Sequence, residues 1–497
     1  MTQADLLPEP LPEGDKGASS RGREALRDGR FGEAAEWYER AVGGDPGADT
    51  EDLLGLAEAR LWQGRYGDVE RVCRDLLARE PGHREARALI GIALAHLDDP
   101  AGAVGFLLSA PDHPAVHIGL ALANERLGLF REAEAAARRA LALAPEFPGA
   151  FRALGSILSN QRRRGEALAA FGKALKLDPD DAPARLALAE ARLALGHFDA
   201  WPEVDWRLKV PGFSPAYPPA GPAWDGAPAA GKTLLLIAEP APGDEFLFVR
   251  FAATLKGAGA RVVLACRPEM AAILSRAEGV DRVLSDPTAL DEPVDAHAYL
   301  MSLPGLLRLT SAGIPVEPYL SPDPALASRW AAEVAALPGD YKVAIHWGGG
   351  PSDRRALPLD LFARLAAVPG VHLISVQKNS GDSAAGAGFP LTDYGPKLDA
   401  GPSAFADAAA VLTAVDLFVT NDCDLAHLAG ALGVPTWVAL PVGPDWRWMA
   451  DRSDSPWYPG VRLFRQARQG DWSGVFSAME PMLRAGVACR SSSLRAN

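Results

Sequence analysis

The stretch FRALGSILSNQRRRGEALAAFGKALKLDP, residues 151–179, decides the architecture of the first half of the chain. Phe151, Leu154, Gly155 and Leu158 recur at helical spacing, Ala167, Phe171 and Ala174 do so again, and Pro179 ends the unit. This alternation of large and small residues places two helices back to back, with Gly155 and Ala167 allowing close approach and Phe151 and Phe171 filling the space between units. A proline after the second helix stops it. The same pattern stands 34 residues earlier, where Ala133, Ala140 and Pro145 fall under Ala167, Ala174 and Pro179.

Working outward, further copies carry Gly22, Ala25, Ala34, Tyr38, Ala41 and Pro46, and then Ala57, Val69, Cys73, Leu76 and Pro81. A short copy with Gly91, Leu94, Ala103 and Leu107 loses part of its second helix, and a last one from Ala184 ends in Trp201 and Trp206. The period and residue types are those of tetratricopeptide repeats. The reading gives a disordered N-terminus over 1–16 and an array over 17–210. The alanines make a solenoid, whose concave face is the place for an extended peptide.

The chain's 497 residues are too many for one core, and 48% hydrophobic with 23% charged residues is the balance of folded domains. A net charge of −13 without a basic run excludes a nucleic-acid footprint. Cys73, Cys266, Cys423 and Cys489 form no CxxC pair, so neither a disulfide framework nor a thiolate metal site is signalled. No basic-then-apolar leader and no membrane-length apolar run stand in the sequence, which fits a soluble cytoplasmic protein.

From Pro211 the texture changes. Proline, glycine and alanine dominate a linker over 211–231, after which short β-rich runs at 233–238, 261–266, 342–347, 371–377, 416–420 and 436–440 alternate with helical stretches. That alternation predicts α/β architecture with parallel sheets. Pro338-Gly339 divides it into two lobes, 232–338 and 339–487, followed by a tail over 488–497.

Ligands of open α/β sheets bind beyond the carboxyl ends of strands. After 233–238 comes Pro242-Gly243-Asp244, where Asp244 reads either as a general base or as a helix N-cap. After 342–347 come Gly348-Gly349-Gly350 and Asp353-Arg354-Arg355, either a backbone that approaches a phosphate beside two arginines or a plain surface loop; the P-loop ending is missing. After 416–420 come Asn421-Asp422-Cys423-Asp424, opening a helix whose N–H groups suit an anion, with His427 one turn in. A lone helical histidine is equally a structural one. Asp422 and Asp424 invite a metal reading, but so short a pattern arises by chance, and none is assigned. Trp446, Trp448 and Trp457 read as packing of a cleft wall, with base stacking the alternative.

Several of these pieces, namely Trp206-Arg207, Trp224-Asp225-Gly226, Gly243-Asp244, Ser375-Val376-Gln377-Lys378, Phe405-Ala406-Asp407, Asp422 with 426–433, Pro444-Asp445-Trp446-Arg447-Trp448 and Ser455-Pro456-Trp457-Tyr458, resemble bacterial tetratricopeptide proteins. In those proteins the second half is related to heptosyltransferases and, more remotely, O-GlcNAc transferases. The resemblance covers nearly the whole chain. It implies a GT-B architecture of two Rossmann-like lobes and a nucleotide-sugar co-substrate without cofactor or metal. Asp244 would be the catalytic carboxylate and Arg355 the group that helps the departing phosphate. Gly348, Gly349, Gln377, Lys378, Asp422, Cys423, Asp424 and His427 would surround the donor. It also implies a protein acceptor, flagellin-like, held by the repeats.

Two departures stand out. The family has Thr or Ser where Cys423 and Asp424 stand, and Pro242 replaces a glycine. A carboxylate beside a diphosphate is repulsive, so either Asp424 turns away or the donor carries less phosphate charge. The alternatives to transfer onto a protein are a non-catalytic scaffold with a degenerate second half, and transfer onto a glycolipid.

Overall fold

Glycine and a bulky residue sixteen positions later set the helix pairs of the first half. A Cβ built on Gly22 would lie 3.1 Å from the ring of Tyr38, one on Gly91 2.5 Å from Leu107 Cγ, and one on Gly155 2.6 Å from Phe171 Cε1. Each glycine is a socket for the large side chain of the next helix. In the computed structural model of the chain, which describes residues 16–43, 47–97, 99–210, 212–215, 217–349, 353–378 and 380–496, helix pairs repeat five times, and three of them hold such a socket. The pairs are α1 (Lys16–Arg27) with α2 (Phe31–Val42), α3 (Thr50–Trp62) with α4 (Tyr66–Arg79), α5 (Arg84–His96) with α6 (Pro100–Leu107), α7 (Pro114–Arg126) with α8 (Phe130–Leu143), and α9 (Pro148–Asn160) with α10 (Arg164–Leu177). The truncated copy is α6, with eight residues against fourteen in α8 and in α10. Apart from Lys16, the segment expected to be disordered lies outside the described residues, as do Pro46, Pro211, Gly350 and Asn497.

By contacts the chain divides into two compact units, Met1–Ala184 with Lys209–Gly212, and Arg185–Leu208 with Phe213–Asn497. The stretch read as the last repeat, α11 (Ala182–Ala194) and the 3-10 segment Phe198–Lys209, thus contributes most of its length to the second unit.

That unit holds two parallel sheets. In the first, β1 (Thr233–Ile237), β2 (Arg261–Ala265), β3 (Arg282–Leu284) and β4 (Ala296–Tyr299) lie in the order β3-β2-β1-β4. In the second, β5 (Tyr341–Ile345), β6 (Val371–Ser375), β7 (Leu391–Asp393), β8 (Leu417–Asn421), β9 (Thr436–Leu440) and β10 (Val461–Arg465) lie in the order β10-β9-β8-β5-β6-β7. The second sheet reverses between β5 and β8, which is the doubly wound order that creates a ligand crevice at the strand ends. The first reverses between β1 and β4. All six strands expected from sequence are present, while β3, β4, β7 and β10 were not foreseen. The linker packs on the first sheet, where Trp224 N–H donates to His297 O at 2.7 Å and Ala223 bridges β4 in parallel, covering the sheet edge. Residues 488–496, read as a tail, continue the helix Trp472–Ala496.

The sockets make a paired prediction on the full chain. Gly155→Leu lowers unfolding stability by about 1–3 kcal/mol or more, because Phe171 has nowhere to go. Gly172→Ala, whose added Cβ meets nothing within 4 Å in the middle of α10, raises it by roughly 0.5–1 kcal/mol. Denaturant titrations of the two variants beside the parent check both signs.

Candidate functional site

The strand-end loops of the two sheets meet in one polar cluster. After β1 the chain turns at Ala241 into the helix Pro242–Phe248, with Pro242 preset for a first helical turn. The N-cap position is Ala241, so Asp244 does not cap this helix. Its Oδ1 instead accepts 2.6 Å bonds from Nε and Nη2 of Arg447, which lies beyond β9. Arg447 also donates from Nη1 to both oxygens of Asp445, at 3.0 and 3.1 Å, and stacks on Trp446. Burial pushes the Asp244 carboxyl above its ordinary range and Arg447 only partly opposes it. At Asp445 burial acts in the same sense, but Arg447 wins and the group lies below its ordinary range.

Asp422, at the end of β8, is buried, and its Oδ1 accepts from Trp448 Nε1 at 2.7 Å. Burial and then the like charge of Asp445 raise it to about 6. His427 is buried too, stacked on Trp448 with ring centroids 4.8 Å apart, and its Nδ1 meets the Tyr458 hydroxyl at 3.1 Å. Burial lowers it to about 3, so the ring is neutral. The tryptophans do pack: Trp448 is fully buried, and Trp446 and Trp457 form T-shaped pairs with Trp201.

Asp424 begins the helix Asp424–Ala431 and turns toward the first lobe, where its Oδ1 accepts from Gly243 N at 2.9 Å. A carboxylate from one lobe thereby satisfies a free N–H of the other lobe's helix, which lacks a side-chain cap of its own. Cys423 Sγ lies 3.2 Å from Thr420 Oγ1 and 3.6 Å from His346 Nδ1. Burial drives this thiol up to about 12 and His346 down to about 4, so the pair is not a thiolate–imidazolium couple.

The glycine loop after β5 is spoken for in part. Gly348 has φ +90° and packs against the Asn421 amide, where a side chain would clash. Its N–H, with that of Trp347, donates to Gln377 Oε1 at 3.1 and 3.3 Å. A Cβ on Gly349 would press on Asp353. Arg355 is half exposed and bonded to Asp353, its carbonyl accepts from Asn421 Nδ2, and its charge is felt at Asp422. Lys378 is exposed and donates to Asp399 O at 3.1 Å, away from the cluster. The structure therefore gathers Asp244, Asp422, Asp424 and His427, sets Gly348, Gln377 and Arg355 beside them, and leaves Lys378 apart.

Sequence reasoning missed four members. Arg447 and Asp445 stood inside a quoted motif without a role, and His346 directly follows β5. Glu190, on α11, lies within electrostatic reach of Asp445, Arg447 and Asp244, and burial with the Asp445 charge raises it to about 7. Among the described residues no group of three or more His, Cys, Asp or Glu side chains could hold a metal ion, and no helix is long and apolar enough to cross a membrane.

Comparison with known proteins fits this division. The tetratricopeptide repeat family model matches residues 25–93 and 160–200, so the first half carries tetratricopeptide repeats. Protein FlbA of Caulobacter vibrioides is 25% identical, with 86% of this chain and 83% of FlbA covered. Among solved structures, a thermophilic tetratricopeptide protein of Thermus thermophilus is 27% identical over 36% of this chain and 98% of its own, with a TM-score of 0.31. PilW, a widely conserved type IV pilus biogenesis factor, is 22% identical over 40% of this chain and 93% of its own, with a TM-score of 0.33.

Burial makes stability depend on pH in a way one variant isolates. Glu245, 1% exposed on the helix Pro242–Phe248, is raised to about 7 by burial, with Arg267 opposing. A carboxyl raised in the fold contributes stability that is full below its unfolded pKa and lost as pH rises through the folded value. His346 and His427, lowered in the fold, run the other way, losing stability as pH falls below about 6.5. They do so equally in parent and variant. Glu245→Gln should therefore match the parent more closely at pH 4 and exceed it at pH 8, by on the order of 2–3 kcal/mol. Urea denaturation at the two pH values measures the difference; a gap that does not widen from pH 4 to pH 8 counts against the raised carboxyl.

Proposed function

We propose that the chain is a glycosyltransferase of two-lobed GT-B type, moving a sugar from a nucleotide-sugar donor to an acceptor hydroxyl on a protein held by the repeats. One observation carries this reading. Asp244, at the carboxyl end of the first sheet's central strand, faces the loops at the reversal point of a doubly wound second sheet, where such folds take a nucleotide.

In this reading Arg447 grips one oxygen of Asp244 and leaves the other for the acceptor hydroxyl. Burial raises the basicity of the carboxylate while the guanidinium keeps it ionisable, which suits a general base. As the acceptor oxygen bonds to the anomeric carbon, its proton passes to Asp244. The bond from that carbon to the donor phosphate breaks, with inversion. Arg355 and the N-terminus of the helix Asp424–Ala431 receive the negative charge of the departing phosphate. Asp424 has its carboxylate engaged by the Gly243 N–H and the positive end of the helix Pro242–Phe248, which offsets part of the repulsion its position suggests. The acceptor on the repeats is a flagellin-like protein, the class to which the resemblance points; tetratricopeptide arrays commonly bind protein segments.

The experiment pairs binding with turnover. Calorimetric titration against a panel of sugar nucleotides should find one that binds, and Asp244→Asn should keep that affinity while turnover falls roughly 10²–10⁴-fold and the melting temperature drops, because an amide no longer offsets the Arg447 charge. Activity should survive EDTA. A chain that binds none of the panel is a scaffold, and near-normal turnover in Asp244→Asn removes this residue from the mechanism.

A further inference from the structure

The reversal point of the first sheet, between β1 and β4, is where an open α/β sheet of this kind offers a crevice for a ligand. Here a side chain of the same chain fills it. Arg207, on the 3-10 segment that follows the repeats, reaches in and meets Glu239, which stands just beyond β1. Nε and Nη2 take the two oxygens of Glu239 at 2.5 and 3.1 Å, Nη2 also donates to Ser302 Oγ at 3.0 Å, and Nη1 donates to Asp205 Oδ1 at 2.7 Å and Val204 O at 3.3 Å. A guanidinium has five N–H groups, and these are five acceptors. Both Arg207 and Glu239 are buried, and Glu239 Oε2 further accepts from Met301 N at 3.0 Å, just beyond β4.

Glu239 is in turn the first link of a short chain of bonds ending at Asp244. Ala241 N–H donates to Glu239 O at 2.7 Å, and Asp244 N–H donates to Ala241 O at 2.9 Å. The segment that carries Arg207 is itself seated: Trp201 is buried against Phe248, Trp446 and Trp457, and Ala450 N–H donates to Ala194 O at 2.7 Å.

We propose that Arg207 is a positioning residue for Asp244, its guanidinium occupying the crevice between β1 and β4 and fixing, through Glu239, the turn that presents the candidate base. The inference rests on the role given to Asp244 above. It makes the end of the repeat segment a working part of the site, and it explains why arginine stands there: lysine has neither the planar fork nor the five donors.

The test uses the full chain with Arg207→Ala, and guanidinium chloride at millimolar concentration as the probe. In the variant the amides of Ala241, Asp244 and Glu245 should exchange with deuterium faster than in the parent, and guanidinium should restore their protection and raise the melting temperature, whereas methylammonium does neither. With a donor that the parent turns over, kcat should fall ~10²-fold with the donor Kd unchanged, and guanidinium should recover it. Parent-like exchange at these amides, or loss of donor affinity in step with kcat, overturns the proposal. Should Arg207→Ala fail to fold, Ser302→Ala, which removes one of the five acceptors, must show the same faster exchange for the proposal to stand. If the parent turns over no sugar nucleotide, the glycosyltransferase reading fails, while the exchange result still decides whether Arg207 holds the turn.

Discussion

A single guanidinium, that of Arg447, lies among carboxylates from three separate stretches of the chain: Asp244 and Asp445 in direct contact, and Glu190 within electrostatic reach. Charges so little exposed are tolerated only when paired and hydrogen-bonded, and removing one partner strands the other. The loops after β1 and β9 are therefore tied to one another by charge and cannot be exchanged or moved independently. Burial, with the like charge of Asp445 adding to it, raises Glu190 to about 7 and Asp422 to about 6.

Helix ends supply the second tie. The first turns of the helices Pro242–Phe248 and Asp424–Ala431 come together at Gly243 and Asp424, where two positive dipole ends lie close and would repel. Asp424 resolves it by accepting the Gly243 N–H across the lobes. A threonine or serine at that position has a hydroxyl but no charge to set between the two ends. The carboxylate of Asp424 thus has a structural use of its own.

The parts of this arrangement differ in how far they show in the sequence. The repeats are legible because their packing is local: a glycine and the large residue sixteen positions on belong to one helix pair, and the pattern recurs. The strands that proved legible include β1, β5 and β8, whose apolar runs follow from burial on both faces. β3 and β7 span three residues each, too few to show any period, and β7 is only partly buried. Asp244 was marked by its place after a strand, which needs no tertiary knowledge. Its partner Arg447 stands 203 residues away, and nothing in the spacing of either residue announces the other. The bonds of Gln377 to the glycine loop are hidden for the same reason, since the loop reads as open until the side chain that fills it is placed.

Three buried or nearly buried arginines do the cross-linking of the second unit, and they divide the work by the chemistry of their partners. Arg207 faces carboxylates and a hydroxyl inside the first lobe. Arg250 has no carboxylate in its bonds: it donates to Leu247 O, Pro315 O, Trp457 O and the Tyr319 hydroxyl, with the rings of Tyr319 and Tyr458 stacked against it. None of these partners is a carboxylate, so this joint does not hang on the proton of one. Arg447 joins the lobes through Asp244, a group whose proton affinity burial has raised. Protonating Asp244 would weaken one of the two joints and leave the other intact. The same carboxylate that we propose as a general base is therefore also the tie between the loops after β1 and β9, and a proton on it loosens that tie.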